Sequence, residues 1–434
     1  YLKFGIWIMQ MIENILNKRI SYLRYLAVLG GILFHNSVYA DSKNTFIEDT
    51  SAEIKLRNFY MSRDYQKNRV RDTGEAWTQS FIADFKSGYT PGKIGVGLDF
   101  LALYSFKIRG EDNEIGTQLL PVKENNIQED DFGRLAIAVK GKVSNTELKV
   151  GEWSPVLPIL RSDDGRSLPQ TFEGWQLTSS EFKNLKVHLG QFYKNSPRDS
   201  ERMKDMYLTS RSSATSDQFN FIGLDYSFNE KNDQISIWYS QLKDIYQQNY
   251  FQYTKSIPID SMNLKWNVGY LYGTEHGDAK AGQLDNQALY STLSLANKYQ
   301  KVSFSAQQMM GKDEFLRVNG TSGFTLANDS FTSSYDNPKE SSWQIRHDFN
   351  FGKFNLPDLN LMNRYIYGNG IENSQTKDGR EHGFETEISY TIKTGWLKSL
   401  SIKARHSEIR RNWGNTNSFN DNRLILSYTI PVFN

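Results

Sequence analysis

Basic side chains stand at alternating positions along several segments of the chain, and their spacing suggests chemistry. They are Arg57, Arg346, Arg364, Lys403, Arg405, Arg410 and Arg423. Six of them fall on the polar side of an apolar–polar alternation, and Arg410 is a further candidate near a segment end. A guanidinium group binds a carboxylate through two parallel hydrogen bonds and stays charged at any working pH. The row therefore predicts a path that passes an anion from site to site, although simple water-facing side chains give the same pattern.

The stretch Gly151–Trp175 is the place where acidic groups can face that row. Its charged candidates are Arg161, Asp163, Asp164 and Arg166. Three prolines, which cannot donate to a strand ladder, and an Asp-Asp-Gly turn argue against a central strand. The stretch also carries apolar residues that should not lie in water, so we predict a long connection folded inside a β wall. The two aspartates are candidate carboxylates opposite the basic row; a plain turn, or pairing with the two arginines, explains them equally well.

The chain lacks the motifs of known catalytic and metal sites. The histidines beyond residue 40 are His188, His276, His347, His382 and His406. They are scattered, and neither Gly-x-Ser-x-Gly nor His-Glu-x-x-His occurs. Without clusters of metal-ligand spacing we expect no metal and no cofactor, and without Cys there are no disulfides. An enzyme on a barrel rim remains an alternative that would need a His beside a nucleophile.

The segments that carry these residues are typical of β-strands. Apolar and polar residues alternate with period two at 54–60, 96–108, 135–140, 185–190, 222–228, 235–239, 400–405 and 423–430. The polar side often carries full charges, and aromatic residues such as Trp238, Tyr239, Trp343, Tyr365 and Tyr367 flank the apolar side. This combination predicts an all-β, transmembrane antiparallel barrel. At about ten residues per strand, 394 residues (434 − 40) make roughly 16 to 20 strands.

The composition and the N-terminal segment limit the possible partners and indicate where the protein is sent. The net charge of +2 in 434 residues favours no charged partner, and we expect no nucleic-acid binding. Basic residues at 18, 19 and 24 precede an apolar run, Tyr25–Phe34, and small residues follow at 38 and 40. This pattern predicts a signal peptide cleaved after Ala40. Initiation is then expected at Met9 or Met11, and residues 41–434 form one barrel domain.

Longer strings in the chain resemble a known family. The most specific are LPQTFEGW at 168–175 and KNSPRDSE at 194–201, and FIADFKSGYT at 81–90 adds to them. Gly223-Leu224-Asp225-Tyr226 and Asn363-Arg364-Tyr365 continue the match. Together, over nearly all residues after 40, the chain resembles the OprD (Occ) family of substrate-specific outer-membrane porins.

The resemblance implies a monomeric or loosely trimeric barrel of about 18 strands in the Gram-negative outer membrane. It would contact lipid and lipopolysaccharide and be inserted by the barrel assembly machinery. Its pore would be narrowed by an inward-folded third extracellular loop, matching Gly151–Trp175, and by a loop matching Gly311–Glu340. An Arg/Lys ladder would face carboxylates and carbonyl oxygens. The implied substrates are small carboxylate-bearing solutes: basic or other amino acids, small organic acids and carbapenem antibiotics.

One position departs from the family pattern. The carboxylate of the family's second constriction loop corresponds to Ser334, with Tyr335 and Asp336 beside it. A serine there argues for anionic solutes over basic amino acids. Because a constriction and a plug differ by a few ångströms, a plugged adhesin or structural barrel remains the third alternative.

Overall fold

The structure, a computed structural model, describes residues 45–66, 73–110, 116–124, 126–323, 325–414 and 418–433. The expected signal peptide at 1–40, with a start at Met9 or Met11, lies outside the described residues. Within these ranges there is one short α-helix, α1 (Thr45–Glu48), and one 3₁₀-helix, Phe351–Phe354. None of the described helices is long and apolar enough to cross a membrane.

Strands make up most of the described chain. In order they are β1 Ser51–Tyr65, β2 Thr73–Lys86, β3 Gly95–Arg109, β4 Asp131–Val143, β5 Thr146–Trp153, β6 Val156–Leu157, β7 Leu160–Arg161, β8 Thr171–Ser179, β9 Leu185–Ser196, β10 Met206–Leu208, β11 Arg211–Ser216, β12 Phe219–Phe228, β13 Asp233–Leu242, β14 Tyr246–Ile259, β15 Met262–Glu275, β16 Asp285–Ala296, β17 Gln300–Gly311, β18 Ser341–Asn350, β19 Leu359–Asn373, β20 Thr376–Thr391, β21 Leu400–Arg411 and β22 Phe419–Phe433.

Eighteen of these strands form one antiparallel sheet that closes on itself. The closure is direct, because β1 pairs with β2 on one side and with β22 on the other. The β6–β7 and β10–β11 hairpins stand apart from this wall. The predicted all-β antiparallel barrel of about 18 strands is confirmed.

An apolar belt runs around the outside of the wall. Five residues lie side by side in register on neighbouring strands: Leu293, Phe304, Ile345, Tyr365 and Phe384. Phe304 and Ile345 keep 52% and 49% of their surface exposed. Their chain neighbours point inward, because successive side chains on a strand point to opposite faces, and most of these neighbours are polar. An apolar belt this exposed is stable in an apolar solvent such as a membrane interior. Because only alternate side chains face outward, a membrane-spanning barrel can still have a polar overall composition.

The longest connections all lie at one end of the barrel, at 110–130, 154–170, 197–218 and 312–340. Two of them turn into the lumen, and we name 154–170 the first inserted loop and 312–340 the second inserted loop. The predicted connection Gly151–Trp175 was too long, since both its ends belong to the wall strands β5 and β8. Its proline-containing middle carries the inserted loop.

The apolar residues of the first inserted loop pack against the inner face of the wall. Leu157, Ile159 and Leu160 are 6%, 8% and 3% exposed and belong to a cluster with Phe192 and Trp238 of the wall. Burying such a side chain contributes about 1.5–3 kcal/mol. Trp238, expected on the outer face, instead lies in the lumen with 2% of its surface exposed. This apolar inner patch is the reason that the loop folds inward.

Candidate functional site

The two inserted loops meet inside the barrel and narrow its lumen. The Ser322 N–H donates to the carbonyl oxygen of Arg161 at 3.0 Å, and Gln170 Nε2 donates to the carbonyl oxygen of Asn319 at 2.9 Å. A cavity of about 1730 Å³ remains beside these contacts. Its lining includes thirteen Lys or Arg residues and four Asp residues. The cavity is therefore the strongly cationic part of the lumen.

Five of the seven predicted basic residues line this cavity: Arg57, Arg346, Arg364, Arg405 and Arg423. They lie on β1, β18, β19, β21 and β22, which with β20 are consecutive in the closed wall. Arg346 and Arg364 face each other in register, as do Arg405 and Arg423. The wall thus brings together residues from both ends of the sequence into one contiguous row.

Three arginines of the row have a carboxylate partner on the wall. Arg423 Nε lies 2.6 Å from Asp421 Oδ1, and Arg364 Nε donates to Glu385 Oε2 at 3.0 Å. Arg405 is ion-paired with Glu387 through its Nε. Such pairing compensates the cost of holding guanidinium groups away from bulk water. It also fixes each group in one orientation.

The other two predicted members of the row lie elsewhere. Lys403 is on the inner side of β21 with Arg405, but nearer the short-turn end and outside the cavity lining. The prediction for Arg410 was wrong. It has the opposite parity to Arg405 and turns away from the lumen, donating to Asn420 Oδ1 at 2.7 Å. Arg411 faces inward instead and pairs with Glu381 at 2.6 Å; counting by twos from Arg405 would have found it.

The aspartates of the first inserted loop pair with arginines outside that loop. Arg57 holds Asp164 through two bonds, Nη1–Oδ1 at 2.8 Å and Nη2–Oδ2 at 3.0 Å. Asp163 lies 2.6 Å from Arg198 Nη1. Burial raises the pKa of Asp163, but the Arg198 guanidinium and the Gly165 N–H outweigh it and hold that pKa below its ordinary value. Both aspartates line the cavity.

The arginines of the first inserted loop have different surroundings. Arg161 lines the cavity. Arg166 is 6% exposed, and its Nε donates to the carbonyl oxygen of Thr117 at 2.7 Å. This bond joins the first inserted loop to the connection between β3 and β4. Arg166 therefore has a visible anchoring contact as well as its place at the cavity wall.

In the second inserted loop a carboxylate lies beside Ser334. The Ser334 hydroxyl donates to Asp329 Oδ1 at 2.6 Å and accepts from Arg317 Nη1 at 3.2 Å. Asp329 and Ser334 both line the cavity. Burial raises the pKa of Asp329, and the nearby Arg317 guanidinium opposes that rise. Sequence matching missed Asp329, because the loop path, not residue order, places it next to Ser334.

The two neighbours of Ser334 do not belong to the cavity lining. Tyr335 is 0% exposed and packs behind the loop with Ile366, Ile409 and Phe419. Asp336 is ion-paired with Arg317. Tyr335 therefore supports the loop from behind, and Asp336 holds Arg317 of the same loop.

The wall next to the arginine row, formed by β15 to β17, is rich in hydroxyl groups and also carries Lys265 and Lys301. Thr292, Ser294, Ser303 and Ser305 line the cavity there, and Thr292 Oγ1 lies 2.8 Å from Ser305 Oγ. Tyr290 adds a phenol hydroxyl on the same side. The arginine row can thus bind a carboxylate while the neighbouring hydroxyl groups exchange hydrogen bonds with neutral groups of the same solute. Reversible binding of small anions is what this arrangement can do chemically.

Comparison with known proteins agrees with the barrel. A family model described as outer membrane porin, OprD family, matches residues 44–432. The chain is similar to the porin-like protein GalP of Pseudomonas putida, with 51% identity over 387 residues, 89% of this chain and 93% of the relative.

Two solved structures are also similar. A BenF-like porin from Pseudomonas fluorescens Pf-5 has a TM-score of 0.88 at 48% identity, with 89% of this chain and 100% of the other covered. OccK2 (OpdF) of Pseudomonas aeruginosa, solved in complex with glucuronate, has a TM-score of 0.83 at 46% identity, again with 89% and 100% coverage.

Proposed function

The chain belongs to the OprD family of outer-membrane porins, and from this we propose that small carboxylate solutes diffuse through it along the arginine row. In this proposal the solute enters from the long-loop end, passes the constriction between the two inserted loops and leaves at the short-turn end. The fold and family are those of a channel rather than an enzyme. The open cavity of about 1730 Å³ supports a constricted pore over a plugged barrel.

The observation that carries the proposal is the contiguous row itself. Arg346, Arg364, Arg405, Arg423 and Arg57 stand on neighbouring strands and face one cavity. In this proposal an anion that leaves one guanidinium passes along the cavity surface to the next. Because each arginine is also tied to a protein carboxylate, its attraction for a solute is moderated. Moderate successive sites allow both entry and release.

Two further observations favour hydroxylated organic acids among carboxylate solutes. The hydroxyl-rich wall formed by Thr292, Ser294, Ser303 and Ser305 can bond to solute hydroxyl groups. The similar porin OccK2 is solved with glucuronate, a monocarboxylate that carries several hydroxyls. Amino acids and carbapenems remain solutes to be tested, and Asp329 is the carboxylate at which a cationic solute group would bind.

The same proposal includes where the barrel lies and how it is inserted. We infer that the apolar belt contacts outer-membrane lipid and lipopolysaccharide, and that the barrel assembly machinery inserts the chain as a monomer or loose homotrimer. Residues 1–40 would act as the signal peptide, and residues 41–434 as one barrel domain.

The test is electrical recording of the purified protein in a planar bilayer. Reversal potential under a KCl gradient should show anion preference, and glucuronate, benzoate and arginine added in turn should block the current to different extents. Glucuronate is expected to block at the lowest concentration. Cation preference, or a current insensitive to every carboxylate, would refute the proposal.

A further inference from the structure

Phe331, in the second inserted loop, lies directly on the arginine row. Its ring centroid is 3.9 Å from the central guanidinium carbon of Arg405 and 5.1 Å from that of Arg364. An aromatic ring attracts a cation over its face. A single loop residue therefore covers parts of two guanidinium groups that stand on β21 and β19.

The backbone of Phe331 binds the same wall. Its N–H donates to Glu385 Oε1 at 3.1 Å, and its carbonyl oxygen accepts from Arg423 Nη2 at 2.8 Å. Through ring and backbone, Phe331 contacts residues on four consecutive strands, from β19 to β22. Arg405 and Arg423 lie opposite each other in register, and like charges so placed repel. Phe331 attracts both, because its ring covers one and its carbonyl oxygen binds the other.

The remaining hydrogen-bonding groups of Arg405 then have a defined direction. Its Nε is used by Glu387. Within the part of the chain that the structure describes, neither terminal amino group of Arg405 has a hydrogen-bond partner. In Arg364, by contrast, Nη1 donates to the carbonyl oxygen of Asp329 and Nη2 to Glu385. Arg405, which is partly buried, thus keeps a whole two-nitrogen edge for a ligand.

We propose that Phe331 is a positioning residue that determines carboxylate specificity: it fixes the plane of Arg405 so that its free edge meets a passing carboxylate. This inference rests on the proposed function, since it names the group that selects the solute. With the ring in place, a planar carboxylate finds two donors already oriented, so less rotamer freedom is lost on binding. Chloride is spherical and cannot use two parallel donors in this way, so its binding is strengthened little.

The test compares variants that keep or lose the ring face. F331L and F331M keep apolar bulk without the π face, F331Y keeps the ring, and F182L makes the same change at an exposed turn phenylalanine between β8 and β9. Each is reconstituted in a planar bilayer, with correct barrel folding checked by circular dichroism. The readouts are the glucuronate concentration that halves the current, and the conductance in KCl alone.

We expect F331L and F331M to need about threefold to tenfold more glucuronate for half block, on the scale of one cation–π contact. F331Y and F182L should stay within about twofold of the wild type. Unchanged block in folded F331L and F331M would overturn the inference, and so would equal loss in F331Y. A wild-type channel that no carboxylate blocks would instead refute the proposed function, and this inference would fall with it.

Discussion

Arg57 on the first wall strand and Asp164 in the first inserted loop, 107 residues apart, are joined by two parallel hydrogen bonds of 2.8 and 3.0 Å. The side chain of Arg57 is 8% exposed, whereas that of Asp164 is 53% exposed. The pair therefore places a negative charge at the cavity surface while holding the loop to the wall.

Replacing Asp164 with Asn should raise the anion preference of the channel. The substitution removes one of few negative charges at the constriction and leaves Arg57 bonded to the carbonyl oxygen of Arg166 at 2.7 Å. Because the lost charge is half exposed and screened, we expect the permeability ratio of anion to cation to rise only about twofold to fivefold. Reversal potentials measure this ratio. An unchanged ratio would mean that Asp164 lies outside the ion path.

Arg405 and Lys403 share one face of β21, and only Arg405 lines the cavity. R405A should weaken block by glucuronate about tenfold or more, because a charge-assisted hydrogen bond is lost. K403A is the matched control and should shift block by less than about twofold. Half-blocking concentrations in planar bilayers compare the two. Equal effects would show that the row acts as a diffuse field and not as defined sites.

Arg410 and Arg411 are adjacent but point to opposite sides of the wall. R411Q should loosen the second inserted loop, because it leaves the fully buried Glu381 without its ion-pair partner, a change that costs about 3–5 kcal/mol. R410Q should leave channel behaviour unchanged. Single-channel recordings should show frequent current fluctuations in R411Q and a quiet trace in R410Q. Fluctuations in R410Q would contradict the observed parity.

Glu340 should make the second inserted loop sensitive to pH. It is fully buried at the start of β18, and Asn337 Nδ2 donates both to Glu340 Oε2 at 2.8 Å and to Glu381 Oε1 at 3.1 Å. Burial raises the pKa of Glu340 well above its ordinary value, and the neighbouring Glu381 adds to the rise. Arg411, Tyr335 and Glu385 are the other titratable groups around this pair.

The sign of the effect follows from that raised pKa. The folded protein holds the Glu340 proton more tightly than the unfolded chain, so its stabilising contribution is complete at low pH and is lost as pH rises through the folded pKa. Current fluctuations in the wild type should increase with rising pH. E340Q imitates the protonated acid and should stay quiet at all pH values, while E372Q, at an exposed glutamate of β19, should behave like the wild type. A pH response that persists in E340Q would exclude this residue.

Local periodicity was enough to predict the wall. A strand exposes alternate side chains to opposite sides, so the residue pattern alone predicted which faces of β1, β19, β21 and β22 are polar, and family resemblance supplied the count of 18 strands. Arg410 was predicted wrongly, because its position near the end of β21 has the opposite parity to Arg405.

The contents of the lumen were decided by tertiary structure. Loops have no period, so nothing in residue order places Asp329 beside Ser334, Tyr335 behind its loop, or Phe331 over Arg405. These contacts arise because apolar loop residues find the inner patch around Trp238 and thereby set the loop path. The sequence by itself determined a barrel with a cationic interior; only the closed wall, which brings β1 beside β22, decided which cations share one path.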